Sequence, residues 1–250
     1  MLLVIDIGNT NITLGVFENE SILETFRLAS DKELPQEEYE ILLHSLFKKY
    51  DINACIIASV VDELSKVLKN ASDNVFHINS LLLSSKLNLG INIKLKNPKE
   101  AGADRVANAC GAYVLYSKPT IVVDLGTATT FDIIDKNGDF VGGVIMPGLN
   151  LQFRALNKST SKLPKIEPDT VKKAIGDNTQ EAMLSGVIRG SACAIEGLIK
   201  QCEQELGESA CIVATGGYSG LISKYMTRKF DFVNPYLTLE GLRFLYELNK

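Results

Sequence analysis

The chain has 250 residues, of which 46% are hydrophobic, so it can bury a full core as one large domain or two smaller ones. Its 26 Lys and Arg residues against 30 Asp and Glu give a net charge of −4 with no basic run, which argues against nucleic acid as a partner. No Lys or Arg precedes the first apolar residues, and no apolar stretch looks long enough to span a bilayer, so neither a signal peptide nor a membrane partner is expected.

A polar turn between two apolar runs opens the chain. Leu2 to Ile5 has the continuous hydrophobicity of a buried strand, and Ile12 to Phe17 is predicted to form a second one. Between them, Gly8 lets backbone N–H groups approach phosphate oxygens, and Asp6 can hold a magnesium ion that bridges those oxygens. Neutral donors are added by the side chains of Asn9, Thr10 and Thr13. The same pattern occurs in ordinary hairpin turns, so alone it leaves both interpretations open.

Alternating helices and strands follow this turn. We predict helices over residues 35–50 and 62–69, and strands over 54–61, 74–78 and 91–95. The next helix starts at Gly102-Ala103-Asp104-Arg105 and runs to about Ser117, which places Asp104 in its first turn. A carboxylate there is favoured by the helix macrodipole, so Asp104 is either a capping residue or a functional group.

The opening turn is repeated in the second half of the chain. Residues 121–131 have the same apolar run, followed by Asp124-Leu125-Gly126-Thr127 and further threonines. Asn137-Gly138, a preferred pair for a two-residue hairpin, then leads into a strand at 140–146. Internal duplication explains this repeated pattern better than two unrelated hairpin turns do.

A long helix is predicted over residues 180–206, with Thr179 as its N-cap. Gly186, Gly190 and Ala194 recur along it at four-residue spacing, so something should pack closely against them, either a sheet of this chain or a second subunit. Plain core packing is the alternative. A strand at 211–214 then leads into Thr215-Gly216-Gly217.

In order and spacing, these motifs resemble type III pantothenate kinase, a family of the actin, sugar-kinase and heat-shock ATPase superfamily. The motifs are Asp6–Thr10, Asn97-Pro98, Gly102–Arg105, Asp124–Thr130, Pro147-Gly148 and Thr215–Gly217. The similarity covers essentially the whole chain. It implies an α/β fold with two duplicated ribonuclease-H-like half-domains of the actin-like ATPase superfamily, at residues 1–117 and 118–250.

The resemblance also implies an activity, the ATP-dependent phosphorylation of pantothenate to 4'-phosphopantothenate, which opens coenzyme A synthesis. Asp104 would accept the proton of the reacting hydroxyl, and Asp124 would bind a monovalent cation, K⁺ or NH₄⁺, while Asp6 holds Mg²⁺ with ATP. The implied ATP and phosphate residues are Asp6, Ile7, Gly8, Asn9, Thr10, Asn11, Ile12, Thr13 and Thr127. The implied substrate residues are Gly102, Ala103, Asp104, Arg105 and Thr179. The family pattern differs at Leu95, where a tyrosine is usual.

The resemblance further implies a homodimer with pantothenate sites at its interface. Three other functions stay open: a kinase of the same superfamily with another small substrate, an accessory protein of transcription without kinase activity, and an ATP-driven conformational switch. Five cysteines without a CxxC pair are expected to be buried thiols of a cytoplasmic protein.

Overall fold

The computed structural model describes residues 1–117 and 119–250, which form two compact units. The first unit comprises Met1–Val114 and Tyr236–Lys250, and the second comprises Leu115–Pro235. The sequence pattern instead predicted a second half-domain over all of 118–250, with a boundary at Lys118 that lies outside the described residues. The closing segment joins the first unit because its buried Leu239 and Leu242 share a core with Val4.

The first unit is built on a five-stranded mixed sheet. Its strands are Leu2–Ile7 (β1), Asn11–Glu18 (β2), Ser21–Ala29 (β3), Ala54–Ser59 (β4) and Leu81–Leu82 (β5). Its helices are Gln36–Phe47 (α1), Asp62–Phe76 (α2), Ala103–Leu115 (α3) and, at the end of the chain, Leu237–Asn249 (α8), with a 3-10 turn at Pro98–Glu100. The first segment of this unit ends within α3, at Val114.

The second unit has a sheet of its own. Its strands are Thr120–Leu125 (β6), Ala128–Ile134 (β7), Phe140–Pro147 (β8), Cys211–Thr215 (β9) and Phe232–Val233 (β10). Its helices are Leu149–Ser159 (α4), Thr179–Leu184 (α5), Gly190–Leu206 (α6) and Ser219–Ser223 (α7), with a π-helical turn at Ser185–Arg189 between α5 and α6.

The two sheets have the same topology. The first has the order β3-β2-β1-β4-β5, and the second, read from its other edge, has the order β8-β7-β6-β9-β10. In each, the central strand pairs antiparallel with the following hairpin strand and parallel with the strand after the crossover. The predicted internal duplication is therefore confirmed.

Burial follows directly from the sequence pattern of the central strands. β1 has helices packed on both faces of its sheet, and β6 contributes Ile121, Val123 and Leu125 to a core with α4 and α6, so the apolar residues of both strands are almost completely buried. One face of the first sheet packs on α1 and α2, and the other packs on α3 and α8. The acidic residue near the carboxyl end of each central strand, Asp6 or Asp124, is only partly buried.

Two predicted strands of the first unit are not formed as expected. Residues 74–76 belong to α2, because Leu64, Leu68 and Ala71 continue one buried helical face, and the helix ends where His77 adopts a left-handed conformation with φ of 55°. The strand beyond it is the short β5. Residues 91–95 contain only an isolated bridge at Ile93.

The predicted long helix is present with two differences. Asn178 is its N-cap, since its side chain accepts the N–H of Glu181 at 3.0 Å, and Thr179 is the first helical residue. The helix is also interrupted by the π-helical turn, a feature often found at functional positions. Thr179 as N-cap was therefore a wrong prediction.

The continuous helical run Thr179–Leu206 has 28 residues and an 18-residue window with mean hydropathy 1.4, enough by length and composition alone to cross a membrane. The expectation that no apolar stretch is long enough is therefore wrong. Half of that window is buried within the fold, where Ile188 and Ile195 contribute to the core of the second unit. Core helices of soluble proteins meet the same criteria.

Candidate functional site

The turn between β1 and β2 is held by its own backbone and by one serine. The Gly8 N–H donates to the carbonyl oxygen of Asn11 at 2.9 Å, which closes the turn. The Ser30 hydroxyl donates to the Gly8 carbonyl at 2.6 Å, and the Ser30 N–H donates to the Thr10 carbonyl at 3.0 Å. Asn9 and Thr10 are exposed at the tip. Hydrogen bonds therefore fix the backbone of the turn, while its tip is exposed to solvent.

These bonds alter the role expected for Gly8. Its N–H is used inside the turn, so donors to a phosphate have to come from the residues that follow it. A side chain at this position would also crowd the turn, since a Cβ on Gly8 would lie 3.1 Å from the Asn11 carbonyl oxygen. Gly8 therefore acts by allowing a tight turn. Across the hairpin, Asp6 pairs with Thr13, which brings a carboxylate and a hydroxyl residue to the same end of the sheet.

Asp104 lies at the start of α3, and one of its two carboxylate oxygens accepts a hydrogen bond. Asp104 Oδ1 accepts the N–H of Arg105 at 2.8 Å, one of the first-turn N–H groups that have no partner within a helix. Among the described residues, Oδ2 has no hydrogen-bond partner. A Cβ on Gly102 would lie 2.6 Å from Asp104 Oδ1, so glycine at 102 leaves the space into which this carboxylate folds.

Val60 connects the start of α3 to the end of β1. Its N–H donates to the Ile7 carbonyl at 3.0 Å, and its Cγ1 would lie 3.7 Å from a Cβ on Gly102. The turn after Asp6 and the Gly102–Arg105 segment are therefore neighbours within the first unit. Sequence analysis brought these motifs together only through the family resemblance.

Three segments of the second unit meet at the end of β6. The Gly126 N–H donates to the Ala128 carbonyl at 3.0 Å, which forms a turn one residue shorter than its counterpart in the first unit. The Gly148 N–H donates to the Thr127 carbonyl at 3.2 Å, and the Tyr218 N–H donates to the Leu125 carbonyl at 3.4 Å. Pro147-Gly148 and Thr215-Gly216-Gly217, common turn sequences, are thus placed beside the second acidic turn.

Two glycines surround the carboxylate of Asp124. Gly216 has φ of +84°, and a Cβ there would lie 2.6 Å from Asp124 Oδ1. A Cβ on Gly126 would lie 3.5 Å from the same oxygen. Asp124 also lies opposite Thr130 and Thr215 on the neighbouring strands. A partly exposed carboxylate with threonines at the paired positions suits a hard cation, which prefers oxygen ligands.

Among the described residues, no hydrogen bond joins Thr179 to this group of segments. It is exposed at the start of α5, and the preceding Gly176 packs directly against the backbone of Ala182. Leu95 is partly buried in the irregular stretch before the 3-10 turn. Thr179 and Asp124 are therefore not brought together by any contact that we observe within the second unit.

The cysteines provide no reactive group near these turns. Burial raises the pKa of the Cys110 thiol on α3 to about 12, and burial similarly raises the pKa of Cys55 to about 12. Both thiols therefore stay protonated at neutral pH. Cys193 is exposed and Cys202 and Cys211 are only partly buried, so the expectation of five buried thiols is wrong for these three residues. Among the described residues, no group of three or more His, Cys, Asp or Glu side chains could hold a metal ion by itself.

Three contributors were missed by sequence analysis: Ser30, Val60 and Gly216. Ser30 and Val60 are ordinary loop residues whose effect depends on distant backbone atoms, and no local pattern identifies them. Gly216 was identified only as part of the Thr215-Gly216-Gly217 motif. Its positive φ and its contact with Asp124 depend on the parallel pairing of β6 with β9.

Solved structures with the same architecture share little sequence with this chain. The activator of the 2-hydroxyisocaproyl-CoA dehydratase from Clostridium difficile, with bound ADPNP, matches with a TM-score of 0.57 and 13% identity over 98% of this chain and 93% of that one. The (R)-2-hydroxyglutaryl-CoA dehydratase component A from Acidaminococcus fermentans matches with a TM-score of 0.54 and 14% identity over 98% and 96%. These likenesses confirm the predicted fold.

The duplicated sheets, with an acidic glycine turn at the end of each central strand, place the chain in the actin-like ATPase and sugar-kinase fold. The family model for type III pantothenate kinase matches residues 2–201. The type III pantothenate kinase of Dehalococcoides mccartyi strain CBDB1 is 43% identical over 100% of this chain and 96% of its own length, and that of Exiguobacterium sibiricum is 39% identical over 100% of both. The chain belongs to the type III pantothenate kinase family.

Proposed function

We propose that this protein transfers the γ-phosphoryl group of ATP to the primary hydroxyl of pantothenate, giving 4'-phosphopantothenate in the first step of coenzyme A synthesis. The proposal rests on full-length membership of the family, together with a carboxylate at Asp104 of which only one oxygen accepts a hydrogen bond. A cytoplasmic enzyme without nucleic acid or membrane partners is consistent with the net charge of −4.

The turn after β1 is the proposed phosphate-binding segment. Residues Asp6 to Thr13 form a rigid hairpin whose tip is exposed, which suits a polar ligand that must arrive and leave. Thr127 contributes a hydroxyl of the second turn to the phosphates of ATP. Asp6 would hold Mg²⁺ together with ATP, as magnesium usually combines one or two carboxylates with substrate phosphates. The bound ion supplies charge neutralisation on the phosphates.

Asp104 is the proposed proton acceptor for the pantothenate hydroxyl. Phosphoryl transfer has a loose transition state, so the nucleophile needs orientation more than early deprotonation, and an ordinary carboxylate is basic enough. The bond from the Arg105 N–H to Oδ1 fixes the side chain and leaves Oδ2 for the hydroxyl. Gly102 supports this geometry because any side chain there would push against Oδ1.

Arg105, Thr179, Gly102 and Ala103 are the proposed substrate contacts. Arg105 follows the catalytic carboxylate directly, so its guanidinium can form a forked pair either with the carboxylate of pantothenate or with the transferred phosphoryl group. Thr179 has an exposed position at the start of α5, where a ligand or a second subunit can reach it.

Asp124 is proposed to bind the monovalent cation, K⁺ or NH₄⁺, with a second magnesium as the alternative. Replacing K⁺ by Na⁺ at fixed magnesium and ionic strength should reduce kcat strongly, because a smaller ion fits an oxygen site of fixed size poorly. Initial rates of ADP release measure the effect. Asp124→Asn should remove most of the difference between the two ions. Equal rates in K⁺ and Na⁺ for the unmodified enzyme would reject the monovalent assignment.

The homodimer is proposed from the face of the helical run Thr179–Leu206 that carries small residues. Gly186, Gly190 and Ala194 are all exposed, and among the described residues nothing approaches within 4 Å of a Cβ built on either glycine. Plain core packing within the chain therefore does not explain the spacing. A second copy of this chain would complete the packing, and Thr179 at the start of the same helical run would then lie near the interface.

Gly190→Gln should convert the dimer to monomer without weakening the subunit. Glutamine is a better helix former than glycine by about 0.5–1 kcal/mol, so the helix itself gains stability, while the long side chain blocks close approach. Light scattering under assay conditions measures the mass. Gly220→Gln on α7 is a matched control, since its Cβ also meets nothing within 4 Å. A single-chain mass for the unmodified, fully active enzyme would contradict the dimer.

The reaction itself is tested by product analysis. Purified protein with ATP, magnesium and potassium should release ADP only when pantothenate is present, and mass spectrometry should detect 4'-phosphopantothenate. Phosphorylation of a sugar in place of pantothenate would assign the protein to another substrate class. Absence of ADP release with any acceptor would favour the accessory-protein alternative.

A further inference from the structure

A cavity of about 310 Å³ lies in the second unit beside α4, and none of its lining residues has been assigned a role above. Its volume is within the range of small-molecule sites. One wall is formed by α4 and the other by residues 165–167 of the extended segment that follows the helix. Phe153, which is 2% exposed, and Ile166 give it an apolar floor.

The lining of the cavity is cationic. Arg154, Lys158 and Lys165 surround it with only Glu167 of opposite sign, so the lining carries 3 − 1 = +2 in a chain whose net charge is −4. Within residues 1–117 and 119–250, none of the three cations forms an ion pair with a carboxylate. Arg154 and Lys158 are also one helical turn apart, where like charges repel.

Two asparagines hold the walls in place. Asn157 Nδ2 donates to the Leu163 carbonyl at 2.8 Å, which ties the extended segment to α4, and Asn150 Nδ2 donates to the Tyr218 hydroxyl at 2.8 Å. Each amide keeps a second N–H that these bonds do not use. The cavity thus combines fixed walls, spare amide donors and uncompensated positive charge.

Helix stabilisation accounts for only one of the three cations that line the cavity. Lys158 in the last turn of α4 interacts favourably with the helix macrodipole. Arg154 lies in the middle of the helix and Lys165 lies beyond it, so neither gains in this way. We propose that the cavity binds the phosphate group of a small phosphorylated molecule, at a site separate from the ATP phosphates. Arg154, Lys158 and Lys165 are exposed side chains that line one cavity, and two or three such cations match a multiply charged anion.

Calorimetric titration of the full-length enzyme with inorganic pyrophosphate tests the proposal. The enzyme is first saturated with magnesium and ADPNP, so that the phosphate-binding turns are occupied. We expect one additional binding event, weakened by about tenfold or more in the double variant Arg154→Gln, Lys165→Gln, because two charge-assisted contacts are lost. Lys66→Gln, an exposed lysine of α2, removes a positive charge elsewhere and should bind pyrophosphate normally.

A second titration with glycerol 3-phosphate identifies the ligand source. Binding of both compounds supports a phosphate monoester site, and binding of pyrophosphate alone supports an inorganic ligand at the same cations. No additional binding, or equal binding by the double variant, overturns the proposal. An ATP KM raised about tenfold in the double variant, with no pyrophosphate binding beside ADPNP, would instead assign the cavity to ATP. Binding is measured without turnover, so these outcomes are independent of whether pantothenate is the substrate.

Discussion

Asp104→Asn should lower kcat by about 10²- to 10⁴-fold, the range that loss of a general base produces, while ATP and pantothenate still bind. Asparagine has the same size as aspartate, and its amide oxygen can still accept the Arg105 N–H that Asp104 Oδ1 accepts at 2.8 Å. It cannot take the hydroxyl proton. Steady-state kinetics for kcat, together with direct binding measurements for both substrates, would record the effect.

The matched control for this variant is Asp62→Asn. Asp62 is another first-turn carboxylate, at the start of α2 in the same unit. Its loss removes only an interaction with a helix dipole, about 0.3–1 kcal/mol, and should leave kcat unchanged. If Asp104→Asn behaved like Asp62→Asn, with near-normal turnover, Asp104 would be a helix-terminal charge only, and Asp124 would be the next candidate for the base.

Gly241→Ala should destabilise the first unit by about 3 kcal/mol or more, at or above the upper end of the usual overpacking cost. Helices α3 and α8 approach closely at two glycines: a Cβ on Gly241 would collide with the Ala107 carbonyl oxygen, and a Cβ on Gly111 would lie 2.9 Å from the Leu237 carbonyl oxygen. These neighbours are backbone atoms, so the helices would have to separate. Urea unfolding measures the loss.

Gly220→Ala is also a glycine-to-alanine change within a helix, but its expected effect on stability is opposite to that of Gly241→Ala. Gly220 lies in α7, and among the described residues a Cβ there meets nothing within 4 Å. Alanine should therefore stabilise the second unit slightly, by about 0.5–1 kcal/mol. Equal effects of the two substitutions would show that the close crossing of α3 and α8 does not limit stability.

The sequence by itself determined the duplicated plan of the molecule. Two apolar runs that each end in an acidic glycine turn, at Asp6 and Asp124, identified the central strand of both sheets, because a buried strand needs continuous hydrophobicity and a phosphate turn needs glycine and a carboxylate. Asn137-Gly138 identified a hairpin by its turn chemistry alone. The order of the motifs was sufficient to indicate the family.

Short or irregular elements were predicted less well, because local pattern there is ambiguous. Residues 74–76 have the composition of a strand but continue the buried face of α2, since burial of Leu64, Leu68 and Ala71 against the first sheet favours the helix. Periodicity could not distinguish the two over so few residues. Similarly, the predicted N-cap was Thr179 and the observed one is Asn178, because both side chains can cap a helix and only the backbone geometry distinguishes them.

Only the tertiary structure decided which distant residues support the site. Ser30 clamps the first turn and Val60 joins it to Gly102, while Gly216 lies against the carboxylate of Asp124. Each of these contacts joins segments that are far apart in the chain, so no local sequence pattern indicates it. Local sequence encodes strands, turns and helix starts through propensity and periodicity. The contacts between them depend on how the sheets and helices pack, so they appear only when the chain is folded.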